Sequence, residues 1–508
     1  IMAKSKNFET FPKIIEQIKE NTQLDVDLVF MLTYMAAIST ADLTRDQIFE
    51  HSSKQKEWTI SKYVKKIELL AKNWNYEYSR ACALLAKKVS NQRLKDLLGR
   101  LSSAMSSGES EKDFLRDELE TTLTRYTSRY ESDIELLKKW TDAYAALLVS
   151  SSLIVLIVAI SMVLYQIGDV KQTTLLTSIL IFIISMIGVY ILWRSAPSDI
   201  KIHSLSDKSK EQILIQKLSK IILPLIPLTI AIVVLLGVSA GWILLMVGIL
   251  LAPIGIIGWM DDKKIDQRDQ DFSSFVKTLG STAGTMGTTL TNAMKKIDKD
   301  SIGSLEDLVR RLYSRLSLGL NEHICWLKFA GESGSETINR LRKSLVDAVN
   351  LGGDPAQIGK IISNTSLRLS LLRTRRKETS SSFTGLMIPL HTAMTGILIF
   401  VVGILKMFNE MVMKMYQSEL VGKATSGMLA GGMGMFSTLG SGSAEFAQSY
   451  AITIVIILTI ADALAIKAAA GGANYKICYY GSIMSIISGI NILLIPLIVK
   501  AIFTIPNI

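Results

Sequence analysis

Apolar and polar positions in this chain are kept apart in long blocks. Seven apolar runs, at 145–165, 174–193, 221–240, 241–259, 383–405, 448–467 and 478–500, are each long enough to cross a bilayer core as a helix, which takes about 20 residues. The third and fourth are separated by little more than "VSAGW", which predicts a tight helical hairpin. Pro224, Pro227, Pro253, Pro389 and Pro496 lie inside these runs and are expected to kink the helices, since neighbouring helices can satisfy the backbone groups a proline frees.

The polar blocks between the spans are helical in pattern. Leu115, Leu119, Leu123, Tyr126, Tyr130, Ile134 and Leu137 recur in steps of three and four, an apolar stripe along one helix that is expected to run straight into the first span. No segment alternates with period two between turn signals, so no strand is predicted. The fold class is therefore all-α: a polytopic membrane protein with about seven transmembrane helices and two cytoplasmic helical bundles.

The bundles repeat. A shift of 244 residues lays "NQRLKDLLGRLSSAMSSGES" (91–110) on "SETINRLRKSLVDAVNLGGD" (335–354), pairing Leu97 with Leu341, Leu101 with Leu345, Ala104 with Ala348 and Gly108 with Gly352. The same shift lays the first span on the fifth. Four domains follow: a first bundle at 1–144; four spans at 145–259 with a basic loop at 194–220; a second bundle at 260–382; and three spans at 383–508 with a methionine- and glycine-rich loop at 406–447.

Charge orients this arrangement. The chain carries a net +11, with 20 Lys/Arg against 15 Asp/Glu in 260–382 and six against three in 194–220, while the first block is near neutral. The excess lies at membrane boundaries, and no recognition motif accompanies it, so nucleic acid is not an expected partner. Basic residues on the inner side put the N-terminus in the cytoplasm, the C-terminus outside, and the basic blocks against anionic lipid. Residues 1–23 lack the apolar core of a signal peptide, so insertion is expected to rest on internal segments.

Catalytic chemistry is sparse. Cys82, Cys325 and Cys478 are far apart, and four scattered histidines suggest no metal site. In "GGDPAQIGKI" (352–361), Gly353 and Gly359 are too far apart for a phosphate loop and Ile361 stands where a hydroxyl is needed. The simpler reading is a turn: Gly352 or Gly353 ends one helix in the left-handed region, and Asp354 and Pro355 start the next, as Gly108 does in the first repeat. Catalytic, metal and cofactor-binding residues are thus expected to be absent. Within the spans the ionisable residues are His391, expected to make a helix–helix hydrogen bond, and Asp462, expected to pair with Lys467 or snorkel beside it. The loop at 406–447, with four methionines in "KMFNEMVMKMY" and glycines in 426–443, is either interfacial or a contact surface for an apolar helix.

Two helical bundles, each ending in a glycine turn, a long amphipathic helix and a span, resemble the type II secretion F-domain family, the membrane platform proteins of type IV pilus-like machines. A hairpin of spans between the repeats and two more after the second make the chain similar to the archaeal form, which serves the archaellum or an adhesive pilus. The resemblance implies a non-enzymatic platform for a type IV pilin-like filament, the archaellum before the pilus. It implies as partners a hexameric cytoplasmic secretion-type ATPase, pilin-like (archaellin) subunits and a second copy of the chain. Lys138, Lys139, Arg373, Arg375, Arg376 and Lys377, where long helices enter the first and fifth spans, are the candidate ATPase-docking residues. A repeat-built secondary transporter is the alternative from another class, and it calls for polar groups converging at the midplane of the membrane.

Overall fold

The computed structural model describes residues 24–165, 170–298, 302–417 and 441–503. The regular elements among the described residues are all helices, with an isolated antiparallel bridge between Ile202 and Ser335. The chain divides into two compact units: 1–132 with 198–210 and 262–374, and 133–197 with 211–261 and 375–508.

The first unit opens with α1 (residues 24–38), which the span reading does not include. It is followed by α2 (Arg45–Ser53), α3 (Ser61–Trp74), α4 (Tyr78–Ala86), α5 (Gln92–Ser107) and the start of α6 (Glu111–Tyr165). Its second half consists of the end of α9 (Ala240–Met286), α10 (Leu290–Met294), α11 (Glu306–Ser317), α12 (Glu322–Ser333), α13 (Glu336–Asn350) and the start of α14 (Pro355–Gln417). The repeat is explicit in the boundaries. Adding 244 to the first residues of α4, α5 and α6 (78, 92, 111) gives those of α12, α13 and α14 (322, 336, 355). The local chemistry repeats too. Asn91 and Ser335 cap α5 and α13 by accepting backbone N–H groups with their side chains. Asn75 and Gly319 are left-handed, with φ of 53° and 73°, as are Gly108 and Gly352, with φ of 76° and 89°.

Both halves bury their apolar faces in one core. Leu28, Tyr34, Leu97, Leu101 and Leu123 from the first half and Phe272, Leu312, Trp326, Leu341 and Ile362 from the second belong to the same cluster. Buried polar pairs cross between the halves: Arg340 Nη1 donates to Asp27 Oδ1 at 2.5 Å, and Tyr34 Oη to Asp347 Oδ2 at 3.1 Å. α9 and α14 meet at Gly280 and Gly359; a Cβ on Gly359 would come within 2.9 Å of the Val276 carbonyl oxygen. Close approach of two backbones accounts for the second glycine of the phosphate-loop look-alike.

The second unit holds the rest of α6, α7 (Val170–Ser195), α8 (Lys210–Leu235), the first half of α9, the remainder of α14, α15 (Ser441–Ala470) and α16 (Lys476–Ile502). Eight helices among the described residues are long and apolar enough to span a membrane. Seven coincide with the seven apolar runs. The eighth, Leu24–Ala41, is 83% buried and lies in the core of the first unit, so its hydropathy is that of an interior helix. The chain is a multi-pass membrane protein. Each of the five intramembrane prolines lies within a continuous helix. α15 packs on α7 and α16 around Tyr144, Met387, Ile454, Leu458 and Met484. α9 lies close on α16, where a Cβ on Gly248 would press on Ile486, the small-residue contact that lets membrane helices approach.

Candidate functional site

Inside the second unit, polar side chains from four helices converge. His391, two residues after Pro389 on α14, places Nδ1 2.7 Å from Asp462 Oδ2 on α15. Its Nε2 is 2.8 Å from Ser488 Oγ on α16, and Ser488 Oγ lies 2.6 Å from Thr459 Oγ1. Tyr144 on α6 donates to the other oxygen of Asp462 at 3.1 Å. His391 and Asp462 are 1% and 2% exposed, so protein surrounds the pair and water does not screen it. Neighbouring Asn491 donates to Thr395 Oγ1 at 2.7 Å.

This arrangement corrects the expected pairing of Asp462 with Lys467. The Lys467 ammonium donates to Asn474 instead, and the carboxylate turns inward to histidine and tyrosine. The helix periodicity puts Asp462 and Lys467 on different faces, five residues apart. Tyr144, Thr459 and Ser488 are partners the sequence reading missed; each is a polar residue at or within an apolar run, which is the signal that could have found them. Chemically, the chain Tyr144–Asp462–His391–Ser488–Thr459 ties four helices together.

The six basic docking candidates separate into inner and outer sets. Arg373 grips Asp199 with two hydrogen bonds, of 2.9 and 2.8 Å, and also donates to Asp269. Its pKa is driven above the ordinary arginine range, because the attraction of Asp199 and Asp269 outweighs the effect of burial. Burial raises Asp269 to about 6, although Arg373 and the Ser335 hydroxyl both favour its charged form. Beside them, Lys201 bridges Asp262 at 2.9 Å and Asp266 at 2.5 Å. Burial works against the charge of Lys201, and the two carboxylates more than offset it, holding its pKa above the usual value.

Arg376 is 6% exposed. Its guanidinium donates to the carbonyls of Ala468 and Ala469, at the C-terminal end of α15, and to that of Pro197 at 2.7 Å. There it satisfies orphan carbonyls and meets the negative end of the helix dipole. Left-handed Gly471 (φ 64°) leaves it room, since a Cβ there would collide with the guanidinium. Arg373 and Arg376 are thus both engaged in hydrogen bonds within the chain. Lys138, Lys139, Arg375 and Lys377 are exposed.

At the glycine turn, Gly352 takes the left-handed conformation while Gly353 does not; a Cβ on Gly353 would come within 2.5 Å of Thr40 Oγ1. The Asp354 side chain accepts from Ala356 N at 3.0 Å, and Pro355 opens α14. α14 extends to Gln417; most of the methionine- and glycine-rich loop, 418–440, lies outside the described residues.

Comparison with known proteins gives a consistent direction. The chain is 23% identical over 413 residues to a protein of Methanocaldococcus jannaschii named flagella accessory protein J, covering 79% of this chain and 73% of that one. It is 25% identical over 411 residues to the protein of the same name from Methanococcus voltae, covering 78% and 73%. No protein-family model and no solved structure matches. Two proteins of one name, each matched over nearly four fifths of this chain, make flagella accessory protein J what the chain is similar to.

Proposed function

We propose that this chain is the membrane platform on which an archaellum is assembled, coupling a hexameric cytoplasmic secretion-type ATPase to the lifting of pilin-like subunits out of the bilayer. The observation that carries the reading is helix continuity. α6, of 55 residues, and α14, of 63, each begin in the polar first unit and continue unbroken as an apolar span of the second. A helix of 55 residues is about 80 Å long. Movement imposed at one end of such a rod reaches the other, and the repeat provides two of them. The relatives' name, flagella accessory protein, favours the swimming filament over an adhesive pilus.

In this reading the first unit and the N-terminus are cytoplasmic and the C-terminus is outside, as the basic residues flanking the spans favour. Exposed Lys138, Lys139, Arg375 and Lys377 form the docking surface for the motor. The role is mechanical, not enzymatic, and the platform works as a homodimer. Deleting the gene and counting surface filaments by electron microscopy tests the proposal. Cells are expected to lose the swimming filament and regain it with the wild-type chain. Normal filaments in the deletion strain would refute it.

A further inference from the structure

Where α7 and α15 end, a cleft of about 480 Å³ opens between these helices and the start of α16. Met186, Tyr190 and Trp193 of α7 form one wall, Leu464 and Lys467 of α15 the other, and Asn474 closes one end. Tyr190 and Trp193 are 60% and 61% exposed, with ring centroids 6.1 Å apart. Amphipathic rings at the end of a spanning helix are typical of the membrane–water interface.

Lys467 is the cation that lines this cleft. Lys467 Nζ donates to Asn474 Oδ1 at 3.3 Å, and no carboxylate among the described residues pairs with it. Arg376 and Lys476 are close enough to add their positive potential. The Arg376 guanidinium is committed to three neutral carbonyls, so its charge is not cancelled. An apolar wall with an aromatic and cationic rim suits a ligand that is itself divided into an alkyl chain and an anionic head. A neutral headgroup would leave Lys467 without a counter-charge, and a free phosphate would leave Met186 and Leu464 against water.

We propose that the cleft binds one anionic phospholipid, its phosphate held by Lys467 and the Asn474 amide and one alkyl chain lying along Met186 and Leu464. Basic pockets between spanning helices recognise acidic headgroups in this way. The site adds a lipid requirement to the membrane protein and stands or falls separately from the platform role.

Native mass spectrometry of the full-length chain in detergent, titrated with phosphatidylglycerol or phosphatidylcholine, tests it. One phosphatidylglycerol per chain should be retained in preference to phosphatidylcholine. Lys467→Gln should weaken retention about fivefold, the effect of one basic group at a membrane surface. Lys467→Arg should preserve it, as should Lys500→Gln at the far end of α16. Trp193→Ala, a rim change that leaves Lys467 and its hydrogen bond in place, should also weaken it. Excess glycerol 3-phosphate should not displace the lipid; displacement would mark a simple phosphate site and overturn the lipid assignment. Equal retention by Lys467→Gln and wild type, or no preference over phosphatidylcholine, would overturn it as well.

Discussion

Asn364 donates a 3.2 Å hydrogen bond to Glu120, the residue that stands 244 positions before it and occupies the same place in the first repeat. One turn further on, Arg368 donates to its own equivalent, Thr124, at 3.3 Å. Residues that touch their own repeat-mates lie beside a two-fold axis, so within the first unit the repeats face each other with α6 and α14 at the centre. Arg368 also pairs with Glu120. Both side chains are partly exposed, so the pair contributes less than about 1 kcal/mol. Glu120→Arg should lower the unfolding temperature, and Glu120→Arg with Arg368→Glu should recover most of the loss. Independent effects of the two changes would separate α6 from α14.

The glycine turns differ in what they require. Gly108→Ala and Gly352→Ala should each cost about 1–2 kcal/mol through left-handed strain alone, since no atom stands near the added Cβ. Gly353→Ala should destabilise through its clash with Thr40, and Thr40→Ala should relieve that clash in part without helping Gly352→Ala. Thermal unfolding of the single and paired variants distinguishes strain from collision.

In the membrane network, Asp462→Leu leaves the Tyr144 hydroxyl and His391 Nδ1 without an acceptor, a loss of about 1–3 kcal/mol. His391→Leu strands the carboxylate. The double variant should lose less than the sum of the two single ones, because the remaining Ser488 and Thr459 hydroxyls can bond each other. Additive losses would show that His391 and Asp462 do not depend on one another.

Asp269 makes a prediction about pH. Its folded pKa is raised to about 6, so between the ordinary carboxylate value and pH 6 the folded protein binds this proton more tightly than the unfolded chain. The stability tied to that proton is present below about pH 4 and is lost as pH rises through about 6. Relative to wild type, Asp269→Asn should therefore gain stability from pH 4 to 6 and hold a constant difference above it. A difference that does not change with pH would place the carboxylate in an ordinary environment.

The membrane spans were legible because a run of about 20 apolar residues has few other ways to fold. The repeat was legible because core leucines and a turn glycine recur at one spacing, Leu97 with Leu341 and Gly108 with Gly352. α1 was not legible: the span reading passed over it, and it is the first-unit core around it that identifies an apolar interior helix. Arg373, Arg375, Arg376 and Lys377 look alike as a string of charges. Three-residue spacing turns Arg373 and Arg376 inward, whereas Arg375 and Lys377 face out, and the carboxylates and carbonyls that receive the inner pair come from distant segments. The partners of His391 were hidden for the same reason, since periodicity within one helix does not show which neighbour meets it.

Docking of the motor tests the central claim most directly. Both repeats share one core, so the measurement belongs on the full chain in lipid nanodiscs, with the cognate secretion-type ATPase as the titrant. The variant reverses Lys138, Lys139, Arg375 and Lys377 to Glu and leaves the buried Arg373 and Arg376 intact. Wild type should bind the ATPase with an affinity that falls as salt rises, because exposed charges are screened beyond a Debye length of about 8 Å at physiological salt. The variant should bind at least about tenfold more weakly, as four exposed charges contribute up to about 1 kcal/mol each. Undiminished, salt-independent binding by the variant, or no binding by wild type, would contradict the account.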